Sequence, residues 1–358
     1  MMLRVTLAAL AALFVICSLS AAAAVPAAGG TGQAGPDCGF PYTSQDATGA
    51  DVTVEERPDR IVVLGASAAQ TVWELDAADR VVGAPVDPTT SYLEGIEDTE
   101  DVFREDRFTV NQEAVVELDA DVVLAPNVIP DETVASLRDA NQTVYKFRFG
   151  TSLEFIAGKT AETGRLIGAC EAATGTNEAF NATIEEVEAG TDDYDSPRVM
   201  YFTDNVTAGG GTFVHSLLTT AGGTNVAAEN GVQGYGEINE EALVEWNPEV
   251  IVVSGVEGGV PDTPAYRETY AVQHDQVVTV DANYVSQPGP RVLIALQTMA
   301  DAFANATVEG QATPTPSQTA TATDGGDPAE TANGDGAGFG FAVALVAMLS
   351  IALYARRR

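Results

Sequence analysis

Apolar positions along the chain gather into short unbroken runs at 61–64 (IVVL), 122–125 (VVLA), 198–202 (RVMYF) and 250–253 (VIVV). None alternates with polar residues, which predicts strands buried on both faces, as in parallel sheets covered by helices. After the first run come small residues, with Ser67 placed to cap a helix through Trp73 to about Ala78, and then a short strand at 81–83. That order is a βαβ unit. It returns after Pro197: the strand, a flexible glycine loop at 209–211, and a helix from about Phe213 to Ala221 that Gly222 and Gly223 end.

Two stretches repeat each other without a gap. Residues 111–126 (NQEAVVELDADVVLAP) and 239–254 (NEEALVEWNPEVIVVS) align at an offset of about 128 residues. Each reads as a short helix capped by asparagine, a turn, and a buried strand. The offset far exceeds the period of a solenoid or propeller, so the repeating unit is a domain. The predicted fold class is α/β, with two Rossmann-like lobes. Between them, 152–190 has helical spacing (Leu153, Ile156, Thr160, Leu166, Ile167, Cys170) and almost no strand signal. A helix of some 20 residues is roughly 30 Å long and forms a rigid spine between lobes.

Charge changes the picture. The 358 residues carry 52 acidic against 17 basic side chains, a net charge of −35, with lysine only at Lys146 and Lys159. Acidic residues are spread over the folded region, a surface resembling that of haloarchaeal proteins, whose self-repulsion salt screens. Nucleic acid is excluded as a partner, since nothing neutralises phosphates.

Residues 1–24, with Arg4, an apolar run and small residues at 20–24, read as a secretory signal peptide. Cys17 lacks the small preceding residue of a lipobox. Segment 307–336 is Thr/Pro/Asp-rich and reads as a disordered stalk. Segment 337–358 carries an apolar run and ends in Arg356, Arg357 and Arg358. This tail resembles the archaeal sorting signals of the Pro-Gly-Phe class, which implies an archaeosortase as a processing partner. Ala337 stands where that class has proline, and a retained membrane helix is the alternative. Either way the chain is expected on the extracellular face of the membrane, held by its C-terminus. In an exported chain Cys38 and Cys170 predict one disulfide, two unrelated thiols being the alternative. Asn141, Asn181, Asn205 and Asn305 head N-x-Thr sequons and are candidates for N-glycosylation.

Several motifs together resemble one family. They are 57–64 (RPDRIVVL) followed by 67–71 (SAAQT), 73–83 (WELDAADRVVG), the duplicated stretches, 219–227 (TTAGGTNVA) and 287–291 (QPGPR). In this order and spacing they are similar to the helical-backbone (class III) periplasmic binding proteins of ABC importers that take cobalamin or iron-siderophores. The cobalamin-binding type is the nearer. The resemblance covers about residues 55–303 and implies an arm at 25–54, an N-terminal lobe at 55–150, the spine at 151–190 and a C-terminal lobe at 191–306.

The resemblance further implies a ligand held between the lobes by loops at the carboxyl ends of the strands. By position the candidates are Tyr92, Arg107, Phe202, Tyr235, Tyr284 and Arg291, whose rings suit a flat macrocycle. Ordinary packing explains a single tyrosine equally well, and Arg291 serves equally as a cap or salt-bridge partner. Glu113 and Glu241 match the glutamates that such proteins insert into arginine pockets of a dimeric permease with its ATPase. A solvated first-turn glutamate is their bland reading. The expected protein is a monomer without a cofactor that captures a corrinoid. A ferric hydroxamate-type siderophore is the alternative, and Arg104, Arg107, Arg148 and Arg291 are the cations available to an anionic one.

Other classes are weaker. His215 and His274 lie beside no good metal ligands. No nucleophile elbow or phosphate loop with lysine is present, so an enzyme is not expected. A surface adhesion or structural protein explains the tail and acidity but not the duplicated lobes.

Overall fold

The computed structural model describes residues 38–255 and 259–310. The signal peptide, most of the stalk and the sorting tail lie outside the described residues. No helix among the described residues is long and apolar enough to cross a membrane.

A hairpin of β1 (Tyr42–Gln45) and β2 (Asp51–Val54) opens the chain. Asp46, at its turn, accepts hydrogen bonds from the Arg138 guanidinium at 2.5 Å and from the Lys146 amide at 3.1 Å, tying the hairpin to the first lobe. That lobe runs β3 (Ile61–Val63), α1 (Ala66–Glu74), β4 (Val81–Ala84), β5 (Glu100–Asp101), α2 (Gln112–Glu117), β6 (Val122–Ala125), α3 (Asp131–Asp139) and β7 (Val144–Lys146). Its parallel sheet has the order β5-β4-β3-β6-β7. Ile61, Val63, Val122 and Leu124 enter one core, and their neighbours Val62, Val123 and Ala125 enter another on the opposite face. Burial on both faces is the reason for the unbroken apolar runs.

Helices α4 (Leu153–Ile167) and α5 (Cys170–Gly190) follow. The sequence spacing predicts one helical segment, but it breaks at Gly168, whose φ of 67° is left-handed. A β-carbon there would approach Arg57 Cγ at 2.8 Å and Phe40 at 3.1 Å, so both backbone conformation and space favour glycine. The chain then folds back, with Asn177 donating to the Ala157 carbonyl at 2.9 Å. Leu166, Ile167 and Ala173, near the turn, belong to the first lobe's core, while Leu153, Ile156 and Phe180 belong to the second's. Both helices therefore run from one lobe to the other. Cys38 and Cys170 are bonded at this turn, with Cα atoms 5.7 Å apart.

The second lobe contains β8 (Arg198–Phe202), β9 (Val206–Ala208), α6 (Phe213–Thr220), β10 (Thr224–Asn225), α7 (Val226–Glu229), β11 (Tyr235–Glu237), α8 (Glu240–Trp246), β12 (Val250–Ser254), α9 (Pro264–Glu268), α10 (Tyr270–Gln273), β13 (Val277–Val280), α11 (Ala282–Val285) and α12 (Val292–Ala304). Its parallel sheet has the order β10-β8-β12-β13, and β9 pairs with β11 in a separate ribbon. The glycine loop before α6 is not slack. Gly209 and Gly210 donate to the carbonyls of Gly234 and Val232, both at 2.8 Å, and a β-carbon on Gly209 would sit 2.1 Å from the Val232 oxygen.

The duplication reaches individual atoms. Asp121 accepts from the amides of Asp59 and Arg60, both at 2.8 Å, and Glu249 accepts from the Arg198 amide at 2.8 Å. In both lobes, then, an acidic residue entering the second core strand ties down the start of the first. Asn111 and Asn239 cap α2 and α8 with their side chains, and Asp119 and Asn247 both take left-handed φ after them. Ser67 does not cap α1: Gly65 holds that position without a side-chain bond.

Candidate functional site

In open parallel sheets, ligands meet the carboxyl ends of the strands, where connections diverge to opposite faces. In the first lobe that point lies between β3 and β6, where Gly65 packs so closely on Pro126 that a β-carbon would come within 2.9 Å of its ring. The loops leaving this edge expose apolar side chains that a soluble surface normally hides. Phe108 is 90% exposed after β5, Val128 75% after β6 and Phe149 66% after β7. In the second lobe Tyr235, on β11 of the ribbon that follows β8, is 56% exposed. The same first-lobe loops carry Arg104, Arg107 and Arg148, all exposed and in no ion pair with a described residue. Arg107 holds a positive φ of 60° at the tip of the turn.

Three other candidates come together between the lobes, Tyr92 on the loop after β4, and Tyr284 and Arg291 beyond the end of β13. Tyr92 meets Tyr284 edge-on, with ring centroids 5.6 Å apart, and the Arg291 guanidinium lies 5.2 Å from the Tyr92 ring centre. The polar atoms of Tyr92 and Arg291 are committed to partners across the lobes. The Tyr92 hydroxyl donates to Gln287 Oε1 at 2.7 Å and accepts from Gln70 Nε2 at 2.9 Å. Gln70 Oε1 accepts the Arg291 amide at 3.0 Å, and Arg291 Nε donates to Glu74 at 2.5 Å. Burial pushes the Tyr92 phenol above its usual range. The QPGPR segment is thus a tie between lobes, and Arg291 takes the salt-bridge role. A β-carbon on Gly289 would sit 2.4 Å from Gln70 Oε1, which would have to shift away from the Arg291 amide it accepts.

Lys159 on α4 completes the tie. Its ammonium is buried without a carboxylate, donating to the carbonyls of Ser67 at 3.0 Å and Pro288 at 2.9 Å. Burial pushes its pKa down to about 7.

Phe202 is a correction to the predicted site: it is 2% exposed, in the core against Tyr266 at a centroid distance of 5.7 Å. At the end of β8 its ring enters the core that Met200, Ile251 and Tyr266 share, so no surface remains for a ligand. Sequence reading missed Phe108, Val128 and Phe149, whose signal was an apolar residue in the polar loop that follows a strand. It also missed Gln70, Glu74, Lys159 and Gln287, whose partners are distant in sequence.

Glu113 and Glu241 are exposed in the first turns of α2 and α8, and neither forms an ion pair with a described residue. A concavity of about 1140 Å³ lies beside the disulfide, among Arg57, Asp76, Arg80 and Glu171.

The sequence pattern of the periplasmic binding protein family matches residues 61–284. The chain belongs to the periplasmic binding protein family. This binding protein is 39% identical over 284 residues to a cobalamin-binding protein of Halobacterium salinarum, covering 76% of each chain. A solved periplasmic heme-binding protein of Roseiflexus superposes with a TM-score of 0.62 at 22% identity, over 69% of this chain and 98% of that one. The periplasmic vitamin B12-binding protein of Vibrio cholerae gives 0.60 at 22% identity, over 69% and 97%. These two likenesses concern the fold alone. Membership makes the chain a solute-binding component that works outside the cytoplasm with an ABC transporter and a small-molecule ligand, and not an enzyme.

Proposed function

We propose that this binding protein captures a corrinoid between the carboxyl edges of its two lobes and delivers it to a dimeric ABC permease with its ATPase. The observation that carries this reading is the exposed apolar rim of Phe108, Val128, Phe149 and Tyr235. A corrinoid offers a broad, largely uncharged ring system to such a rim, and rigid aromatic side chains bury area at low entropic cost. Its single phosphate finds a partner among Arg104, Arg107 and Arg148. Identity to a cobalamin-binding relative supports the same ligand. The three arginines on one edge, in no ion pair with a described residue, favour a second reading, a ferric siderophore.

Titration of the exported portion in multi-molar KCl with cyanocobalamin, a ferric hydroxamate and a ferric catecholate separates the two. Saturable binding of cyanocobalamin is expected; binding of a ferric complex alone overturns the corrinoid reading. Glu113 and Glu241 are the proposed permease contacts. A helix feeding a parallel strand runs antiparallel to it, so the starts of α2 and α8 lie level with the ligand-bearing edges. The C-terminal tail is proposed as the anchor of the exported chain, cut and lipidated by an archaeosortase or retained. Asn141, Asn181, Asn205 and Asn305 are exposed and available for glycans.

A further inference from the structure

Most positions shared by the duplicated stretches have a structural cause. Asn111 and Asn239 cap helices, Val115 and Leu243 are buried in cores, Asp119 and Asn247 take left-handed φ, and Asp121 and Glu249 bind strand amides. Three exposed pairs remain: Glu113 with Glu241 in the first helical turns, Val116 with Val244, and Glu117 with Glu245. Val116 is 37% exposed and Val244 45%, and neither belongs to a core cluster. Spacing of three and four residues puts each set on one helix face. In the first lobe that face borders a groove of about 320 Å³ between α2 and α3, whose walls include Glu113, Val116, Ser136 and Ala140. Ser136 is fixed there by its 2.6 Å bond to Gln112 Oε1.

We infer that each lobe docks through a composite patch of a valine flanked by two carboxylates, Glu113/Val116/Glu117 and Glu241/Val244/Glu245. The matching surface on each permease subunit presents a basic side chain beside an apolar one. The inference rests on the docking reading above and adds the apolar half of the contact. Salt supplies the physical reason. A chain of net charge −35 suits strong brine. The Debye length falls to about 3 Å at 1 M, which weakens exposed ion pairs, whereas apolar contact is not screened. Acidic groups alone would also fail to distinguish these two helices from the rest of an acidic surface.

The test is uptake of labelled cyanocobalamin by a salt-grown host that keeps its permease but lacks its own binding protein, complemented with the full chain. Variants are V116S/V244S, E113Q/E241Q and the control I294S, which alters an exposed apolar residue outside the duplication. The valine pair is expected to lower uptake five- to tenfold, more at 4 M than at 2 M salt, with cyanocobalamin affinity and melting temperature unchanged and I294S silent. Wild-type uptake by V116S/V244S alongside failure of E113Q/E241Q overturns the inference and leaves carboxylate docking standing. Wild-type uptake by both pairs, or no rescue by the unmodified chain, overturns both. An equal loss in I294S also overturns it, since the effect would then not belong to the patch.

Discussion

Lys159 and Arg291 show how single side chains set the relation between the lobes. In the fold Lys159 prefers to be neutral, with its pKa near 7 against 10.5 in an unfolded chain. The unfolded chain therefore binds the extra proton between those values, and stability rises with pH through that window, by up to ~1.4 kcal/mol per pH unit. Below pH 7 the cost of burying the charge is fully present. The melting temperature should climb from pH 6 to pH 9, and Lys159→Met should flatten that climb; an unchanged slope would show that another group titrates. Arg291→Ala removes the Glu74 bond from a partly exposed pair and should cost about 1–2 kcal/mol in denaturant unfolding. Cyanocobalamin affinity should change little, because the guanidinium is already engaged. Phe149→Ser should do the reverse, weakening cyanocobalamin about tenfold with the melting temperature held.

Among the elements, the turn between α4 and α5 is the most constrained. Gly168→Ala meets both the left-handed penalty and the Arg57 and Phe40 side chains, so a loss of about 2 kcal/mol or more is expected by denaturant titration. The elements differ in how far the sequence disclosed them. Strands β6, β8 and β12 were legible because burial on both faces writes itself as consecutive apolar residues. The duplicated helices were legible because cap, core and turn residues recur at one offset. The break at Gly168 was not, since the apolar spacing continues across it and only the positive φ ends the helix. Phe202 misled for another reason: it stands at a strand's carboxyl end, as ligand residues do, but its ring packs into the core against Tyr266, a residue distant in sequence. The tie through Gln70, Tyr92, Gln287 and Lys159 joins positions up to about 220 residues apart, and no local pattern encodes such a bond.

At the scale of the whole molecule, covalent and electrostatic terms act together. The bond between Cys38 and Cys170 spans 132 residues, so in the chain-entropy account its loss costs up to about 5 kcal/mol. Cys38→Ser with Cys170→Ser should lower the melting temperature most at low salt, where carboxylate repulsion is also greatest. Scans across KCl concentrations check this, and a salt-independent loss would separate the two effects. The α4–α5 pair has the widest consequence. Two crossbars and a buried latch leave the jaws little freedom to swing apart unaided. Cargo should then leave the isolated carrier slowly, and the transporter's ATP-driven torque, not the carrier's own breathing, would set the pace of import.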